Sequence, residues 1–373
     1  MIYADYAATS GYVPECVRSA VMNAFAHPGN AGRGAHEQAL GAGRILLDTR
    51  RSIAEFFDAP SPSGVVFTSG MTESLNTVIK GILTKEDHVI TTWAEHNSVL
   101  RPLYELQDQG MGLTITDPDV TQISRHLQEN TRMVIMTHGS NVTGAVYDIE
   151  AVGNFCREQD ILFVVDTAQT AGHFPVSMKK AAIDVLCFTG HKGLCGPQGT
   201  GGMCIGEGVR IRPLKTGGTG MDSFSRKNPK HLPESLEAGT MNIPGIAGLC
   251  AAVGQFSETG VRQRCKREQK LAKRFWQGVK SIKDIRLYGD FSDFQNRTAI
   301  VSLNIGSYPS ASVSDELEQR FGILTRFGAH CAPLVQDHFG TREQGMVRFS
   351  FGFETTQDEV DACIRVVRIL AEE

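Results

Sequence analysis

Asp166, Lys192 and Cys331 are the residues of this 373-residue chain best placed by type and position to do chemistry. Asp166 ends the apolar run "ILFVV", which puts a carboxylate at the C-terminal tip of a strand expected to be central and buried. An unpaired buried carboxylate is costly, so Asp166 needs a cationic or hydrogen-bonding partner. Gln169, three residues on, can bond the same ligand. The plainer alternative is that Asp166 caps the following helix. Lys192 follows Thr189 and His191 in "CFTGHKGLCGPQGTGG", a loop with six glycines between 190 and 202 directly after another apolar run. Most lysines are surface residues, and by frequency alone that reading wins. Cys331, in "RFGAHCAPL", is one of nine cysteines and taken alone reads as a small hydrophobe.

Together, the first two residues point to an aldehyde cofactor. Such a group needs an amine for a Schiff base, a carboxylate to keep a pyridine nitrogen protonated, and a helix N-terminus with hydroxyls for a phosphate. The third requirement is met by "SGMTES", a small-residue turn after the run "GVVFT" that opens a helix with Met71 and Thr72. Alone, that turn is an ordinary helix cap. Pyridoxal 5'-phosphate fits all three requirements. His96 in "WAEHNS" and Asn141 in "HGSNVTG" also follow apolar runs; singly, each reads as a satisfied polar or turn residue.

The elements that must position these residues alternate. "GVVFT", "DHVITT", "MVIMTH", "ILFVVD", "VLCFTG" and "GGMCI" are of strand length, and amphipathic stretches such as "MTESLNTVIKGIL" separate the first of them. Short continuous apolar strands between helices indicate an α/β domain with a mainly parallel sheet covered on both faces. In such sheets, ligands bind beyond the carboxyl ends of the strands, where these residues fall. After about residue 245 the alternation relaxes into a long charged helix, "TAIVSLNI", a helix over 312–321, "MVRFSF" and a last helix over 356–371. The expected division is a large α/β domain over 13–245 and a smaller α+β domain from 1–12 and 246–373 that carries the cysteine loop.

Composition narrows the function. With 37 Lys+Arg against 41 Asp+Glu the net charge is −4, which leaves no electrostatic footprint for nucleic acid or an anionic membrane. No segment reaches the ~18 apolar residues of a membrane span. The start "MIYADYAATS" lacks the basic and apolar regions of a signal peptide. A cytoplasmic protein is expected. Nine scattered cysteines without a C-x-x-C pair argue against a disulfide framework or a zinc site.

The chain also resembles the class V aminotransferase-fold family of pyridoxal-phosphate enzymes, and within it the cysteine desulfurase and selenocysteine lyase group. The resemblance runs through "YADYAAT", "GNAGRGAHEQAL" (29–40), "TSGMTESLN", "AEHNSVLRPL", "SNVTGAVYD", "VVDTAQTAGH", "TGHKGLCGPQGTGG", "EAGTMNIPGIAGL" and "RFGAHCAPL". It implies fold type I, with a mainly parallel seven-stranded sheet in the large domain. It further implies that Lys192 forms the Schiff base, Asp166 pairs with the pyridine nitrogen, Gln169 bonds the phenolic oxygen and His96 stacks on the ring. Met71, Thr72, Thr189 and His191 would hold the phosphate, with Thr240 reaching the phosphate of the other subunit in a homodimer. Asn141 and Arg348 would bind the substrate carboxylate, a task suited to a guanidinium's paired donors; a salt bridge within the small domain is the plainer role for Arg348. Two departures stand out: Tyr6 replaces the family's usual Asn, and "FETTQDE" lacks an Asn before its Thr.

The implied reaction is removal of sulfur from L-cysteine to give L-alanine and a persulfide on Cys331, with His330 or Arg326 as candidates to favour the thiolate. The short loop around Cys331 resembles the group that often also takes L-selenocysteine, and a sulfur-acceptor protein is an expected partner. The alternatives are an aminotransferase or other lyase of this fold with Cys331 a bystander, or a cofactor-stabilised scaffold. A dinucleotide enzyme is disfavoured because no G-x-G-x-x-G follows the first strand.

Overall fold

The computed structural model describes residues 1–32 and 34–373; Arg33, within the 29–40 motif, lies outside the described residues. The first half of the chain holds β1 (Ile2–Tyr3), α1 (Glu15–Ala26), α2 (Glu37–Phe56), β2 (Val65–Thr68), α3 (Met71–Ile82), β3 (His88–Thr92), α4 (Asn97–Gln107), β4 (Gly112–Thr116), α5 (Val120–Arg125), β5 (Thr131–Thr137), α6 (Ile149–Glu158), β6 (Leu162–Asp166) and β7 (Val185–Thr189). The second holds β8 (Gly201–Ile205), α7 (Ile243–Val253), α8 (Glu258–Val279), β9 (Ile285–Tyr288), β10 (Ile300–Ile305), α9 (Ser310–Phe321), β11 (Ile323–Leu324), α10 (Pro333–Phe339), β12 (Val347–Ser350) and α11 (Gln357–Glu372). Among the described residues no helix is long and apolar enough to cross a membrane.

Seven strands form the main sheet in the order β2-β8-β7-β6-β5-β3-β4. Neighbours from β7 to β4 are parallel, whereas β8 runs antiparallel to both β7 and β2. The expected α/β fold is the one the chain adopts. The inner strands β5, β6 and β7 are rich in β-branched and apolar residues because both faces are covered. Val134, Met136, Phe163, Val165, Leu186 and Phe188 pack on one face with α2, α6 and α7. Their sequence neighbours Met133, Ile135, Val164, Val185 and Cys187 pack on the other with α3 and α4. This strict alternation follows from the two-residue period of a strand.

β4 was absent from the sequence reading of strands. It is the edge strand, only its last residue is buried, and its threonines break the apolar run that betrays a central strand. β9 escaped for the same reason, as the outer strand of a second, antiparallel sheet of order β12-β10-β9. That sheet packs with α8, α9 and α11 around a second core that includes Leu271, Phe275, Val301, Phe349 and Val367. The N-terminal strand β1 pairs in parallel with β11. α7 buries Ile246, Leu249 and Val253 in the core of the main sheet, while α8, beginning at Glu258, supplies Leu271 and Phe275 to the second core.

The strand-to-helix turn after β2 depends on two glycines in close approach. Gly70, the N-cap of α3, has φ 148°, a conformation that suits glycine. A Cβ on Gly201 of β8 would lie 2.7 Å from Gly70 Cα and 2.8 Å from Phe188 O. Backbone there cannot yield cheaply. Gly201→Ala is therefore expected to lower stability by about 1–3 kcal/mol, as overpacking does, read as a reduced urea midpoint with an unchanged m-value.

Candidate active site

The carboxyl ends of β2, β3, β5, β6 and β7 open into one cavity of about 470 Å³. Its walls include Met71, Thr72, His96, Asn141, Asp166, Gln169, Thr189, His191 and Lys192. Nine residues singled out from dispersed motifs thus meet in one place. Thr240, Cys331 and Arg348 are not among the lining residues.

Asp166 is buried at the tip of β6, where its Oδ1 accepts a 2.8 Å bond from Ala168 N. Burial raises its pKa, and the Ala168 N–H and the Lys192 charge oppose that rise. The donor and the cation expected for it are both present. Lys192 makes no side-chain hydrogen bond among the described residues. Burial lowers its amine to about 8, Asp166 resists the fall, and Arg348 and Arg326 add to it. A lysine so placed is readily deprotonated near neutral pH, which surface lysines are not.

The two cavity histidines, His96 and His191, are neutral at pH 7. Burial brings His96 to about 4, helped by Lys192, Arg326, Arg101 and Arg348. Its Nδ1 accepts the Ser98 backbone N–H at 3.0 Å, which leaves the proton on Nε2. His96 is thus both the N-cap of α4 and a cavity wall. Burial and Lys192 lower His191 to about 4, and its Nδ1 lies 3.1 Å from Thr9 Oγ1. Gln169 is held by donating to Ala7 O at 3.1 Å.

At the phosphate end, Ser69 N donates to Glu73 Oε2 and Gly70 N to Thr68 Oγ1. The next amides, of Met71 and Thr72, have no partner among the described residues and start an α-helix, which favours an anion. This free-amide turn, an amine without a hydrogen bond and a carboxylate opposite it fit pyridoxal phosphate.

Cys331 sits just outside, on a loop bonded to the cavity wall. Its carbonyl accepts from Asn97 N, the residue after His96, at 2.7 Å. Asn141 Nδ2 donates to His330 O at 2.7 Å. His330 and Cys331 both take left-handed backbone (φ 53° and 57°), a strain that surrounding contacts must sustain. Of the two candidate activators, His330 is unsuitable: burial and Arg348 push its pKa down to about 3, and its Nε2 faces Met346 O at 3.0 Å. Arg326 remains, with Nη2 3.8 Å from Cys331 Sγ.

Arg348 is 1% exposed, bonded to Asp5 Oδ1 at 2.8 Å and to Asn141 O at 2.9 Å. The salt bridge that was its plainer reading is present, although the guanidinium also abuts Asn141 of the cavity wall. Thr240 is exposed beside Gly239. Tyr6 lies away from the cavity, edge-on to Tyr3 at 5.1 Å and against Gly352, where a Cβ would collide with its ring. It fills the junction between β1 and β12.

A model of class-V aminotransferases matches residues 2–363. The chain belongs to the class-V aminotransferase family. Family members similar over nearly full length include a probable cysteine desulfurase of Methanothermobacter thermautotrophicus, 32% identical over 96% of this chain and 92% of that one. Another, from Pyrococcus abyssi, is 31% identical over 99% of this chain and 94% of the relative. The solved apo structure of a cysteine desulfurase from Thermococcus onnurineus superposes with a TM-score of 0.89 at 29% identity, covering 100% of this chain and 94% of that one.

One residue of this family member's site was missed from sequence. Glu95, adjacent to His96, is fully buried; its Oε1 accepts from Thr92 Oγ1 at 2.6 Å and Thr137 N at 3.0 Å, clipping the ends of β3 and β5 together. Its Oε2 has no hydrogen-bond partner among the described residues. Burial, with a smaller push from Asp166, raises its pKa from 4.5 to about 8, so it is a neutral acid at pH 7. The signal available was a charged residue directly after the apolar strand "HVITT" and next to a candidate histidine.

Two outcomes follow from these shifts. The neutral amine is the nucleophile, so reductive labelling of Lys192 by pyridoxal phosphate in cofactor-free protein should rise about tenfold per pH unit and level off above about 8. Glu95 holds its proton more tightly folded than unfolded, so its contribution to stability falls as pH rises from 4.5 to about 8. Glu95→Gln should abolish that decline, measured as urea midpoints across the window.

Proposed function

We propose that this protein is a pyridoxal-phosphate-dependent cysteine desulfurase, converting L-cysteine to L-alanine with Cys331 as the first sulfur acceptor. The observation that carries this reading is the attachment of the cysteine loop to the cavity wall through Asn97 N and Asn141 Nδ2, with Arg326 at the thiol. The activity named for its relatives supports it.

Pyridoxal phosphate, when bound, supplies an aldehyde for amines and a ring that draws electrons from the substrate's Cα. Met71, Thr72, Thr189 and His191 hold its phosphate, and Asp166 keeps the proton on its ring nitrogen. Gln169 would bond its phenolic oxygen and His96 would lie against its ring. Lys192 would bear the cofactor through its amine and, as a neutral base, would take the substrate's Cα proton. Asn141 and Arg348 orient the substrate carboxylate. The Cys331 thiolate then takes the sulfur: the Cβ–S bond breaks, its electron pair remains with carbon, which is protonated to give alanine, and Cys331 becomes a persulfide. Arg326, with Nη2 3.8 Å from Sγ, is the cationic side chain beside the thiol. The persulfide passes to an acceptor protein or a thiol.

The same reading takes L-selenocysteine as an additional substrate, Thr240 as a ligand to the phosphate of a second subunit in a homodimer, and a cytoplasmic setting. Amino transfer with Cys331 a bystander is the competing reading, favoured by the absence of Cys331 from the cavity lining.

Mass spectrometry after incubation with L-cysteine separates the two. One added sulfur atom on Cys331, absent in Cys331→Ser, with release of alanine, is expected; sulfur mapped to another thiol, or amino transfer to a keto acid without sulfide, overturns the proposal. Lys192→Ala should lower alanine release by about 10²–10⁴-fold, the range for a lost general base.

A further inference from the structure

Behind the Lys192 loop lies a buried charged cluster that none of the steps above uses. Arg264 of α8 donates from Nε to Glu268 Oε1 at 2.8 Å and from Nη1 to Gly193 O at 2.6 Å. Glu268 Oε2 lies 2.7 Å from His173 Nδ1. Arg264 and Glu268 are 7% and 2% exposed. Arg264 Nη1 also reaches Cys195 Sγ at 3.6 Å, where Cys195 takes left-handed backbone (φ 58°). Burial pushes the Glu268 carboxyl up, but His173 and Arg264 outweigh it and hold it below its ordinary value.

The placement of this cluster gives its meaning. Gly193 is bonded covalently to Lys192, and His173 closes the turn that begins with Asp166 and Gln169. These two loops touch: a Cβ on Gly172 would run into Gly193 O, and one on Gly193 into Ala171 O and the His173 ring. Farther along, α8 buries Leu271 and Phe275 in the second core. The helix therefore ties both loops to the part of the molecule that carries Cys331 and Arg348. Buried ion pairs add little net stability over apolar packing, whereas a guanidinium with two fixed acceptors defines geometry well.

We propose that Arg264, aligned by Glu268 and His173, is a positioning residue for Lys192: it holds the Gly193 carbonyl and so fixes the amine relative to Asp166. This rests on the reading of Lys192 as the cofactor-bearing amine. Groups that act on one cofactor must be held to within about 0.5 Å by supporting hydrogen bonds, and among the described residues Arg264 supplies a side-chain bond to the backbone next to Lys192.

The test uses the pyridoxal-phosphate-loaded protein. Arg264→Lys keeps the charge but lacks the fork that serves Glu268 and Gly193 together. It should shift the pH midpoint of the cofactor's visible absorbance by about half a unit or more, a factor of about three in proton affinity. Its kcat for alanine release should fall about tenfold with KM within about twofold. Glu268→Gln, which preserves shape, should shift the midpoint in the same direction and serves if Arg264→Lys does not fold. Arg274→Met, which removes an exposed pair with Asp361 on the same helix, should leave the midpoint alone. Variants that melt earlier but keep the wild-type midpoint and kcat would reduce the cluster to a structural role and overturn the proposal. Borohydride trapping on wild type keeps the two ideas apart: label away from Lys192 sinks the cofactor reading, whereas label on Lys192 with spectrally silent Arg264 and Glu268 variants sinks only the positioning role.

Discussion

The structure turns on a half-buried amine at the wall of a cavity, opposite a buried carboxylate. Asp166 ends β6 and Lys192 lies three residues beyond the end of the adjacent parallel strand β7, so strand spacing and the glycine loop together bring their backbones to one edge of the sheet. Burial disfavours both charges, raising one pKa and lowering the other, while each charge partly rescues the other. That balance yields a lysine able to lose its proton near neutrality and a carboxylate with an interest in a proton-bearing ligand. Neither property exists on a surface, where water screens such pairs to little effect. The sheet, its two helical layers and the glycine-lined loops provide the dry wall that this pair requires.

The second constraint is the seam between the two cores. Long-range bonds cross it at Arg348–Asn141, Asn141–His330 and Asn97–Cys331, and Arg264–Gly193 crosses it behind the lysine. The seam therefore joins the Lys192 loop, the cysteine loop and Arg348 in one arrangement. It also sustains two consecutive left-handed residues at the cysteine loop, His330 and Cys331, which cost of order 1–3 kcal/mol each unless their surroundings impose them. The backbone of the cysteine loop is thereby fixed to the wall of the cavity.

Much of this could be read in the chain. Inner strands were legible because both their faces are buried and their apolar runs are unbroken, and so was the edge strand β2, whose Val65–Phe67 are buried; the outer strands β4 and β9, each mostly partly exposed, were not. Asp166 and Lys192 were legible because each directly follows such a run. Glu95 follows one too, but a carboxylate that works as a neutral, buried clip has no sequence signature distinct from a surface acid. Arg348 read equally as clamp or salt bridge, and in the fold it is paired with Asp5 while touching Asn141. Tyr6 stood out as a departure, and its place turned out to be the junction, packed against the bare backbone of Gly352.

The sequence by itself determined the inner strands, the periodicities that make an α/β core, and the identities of the amine, the carboxylate and the thiol. Tertiary structure decided which of these groups meet. Period and composition act over a few residues, whereas the contacts of His173 with Glu268, Arg264 with Gly193 and Asn97 with Cys331 join segments whose separation local patterns do not encode. The protonation of each group was decided there as well, since a pKa answers to burial and to charges brought near by the fold.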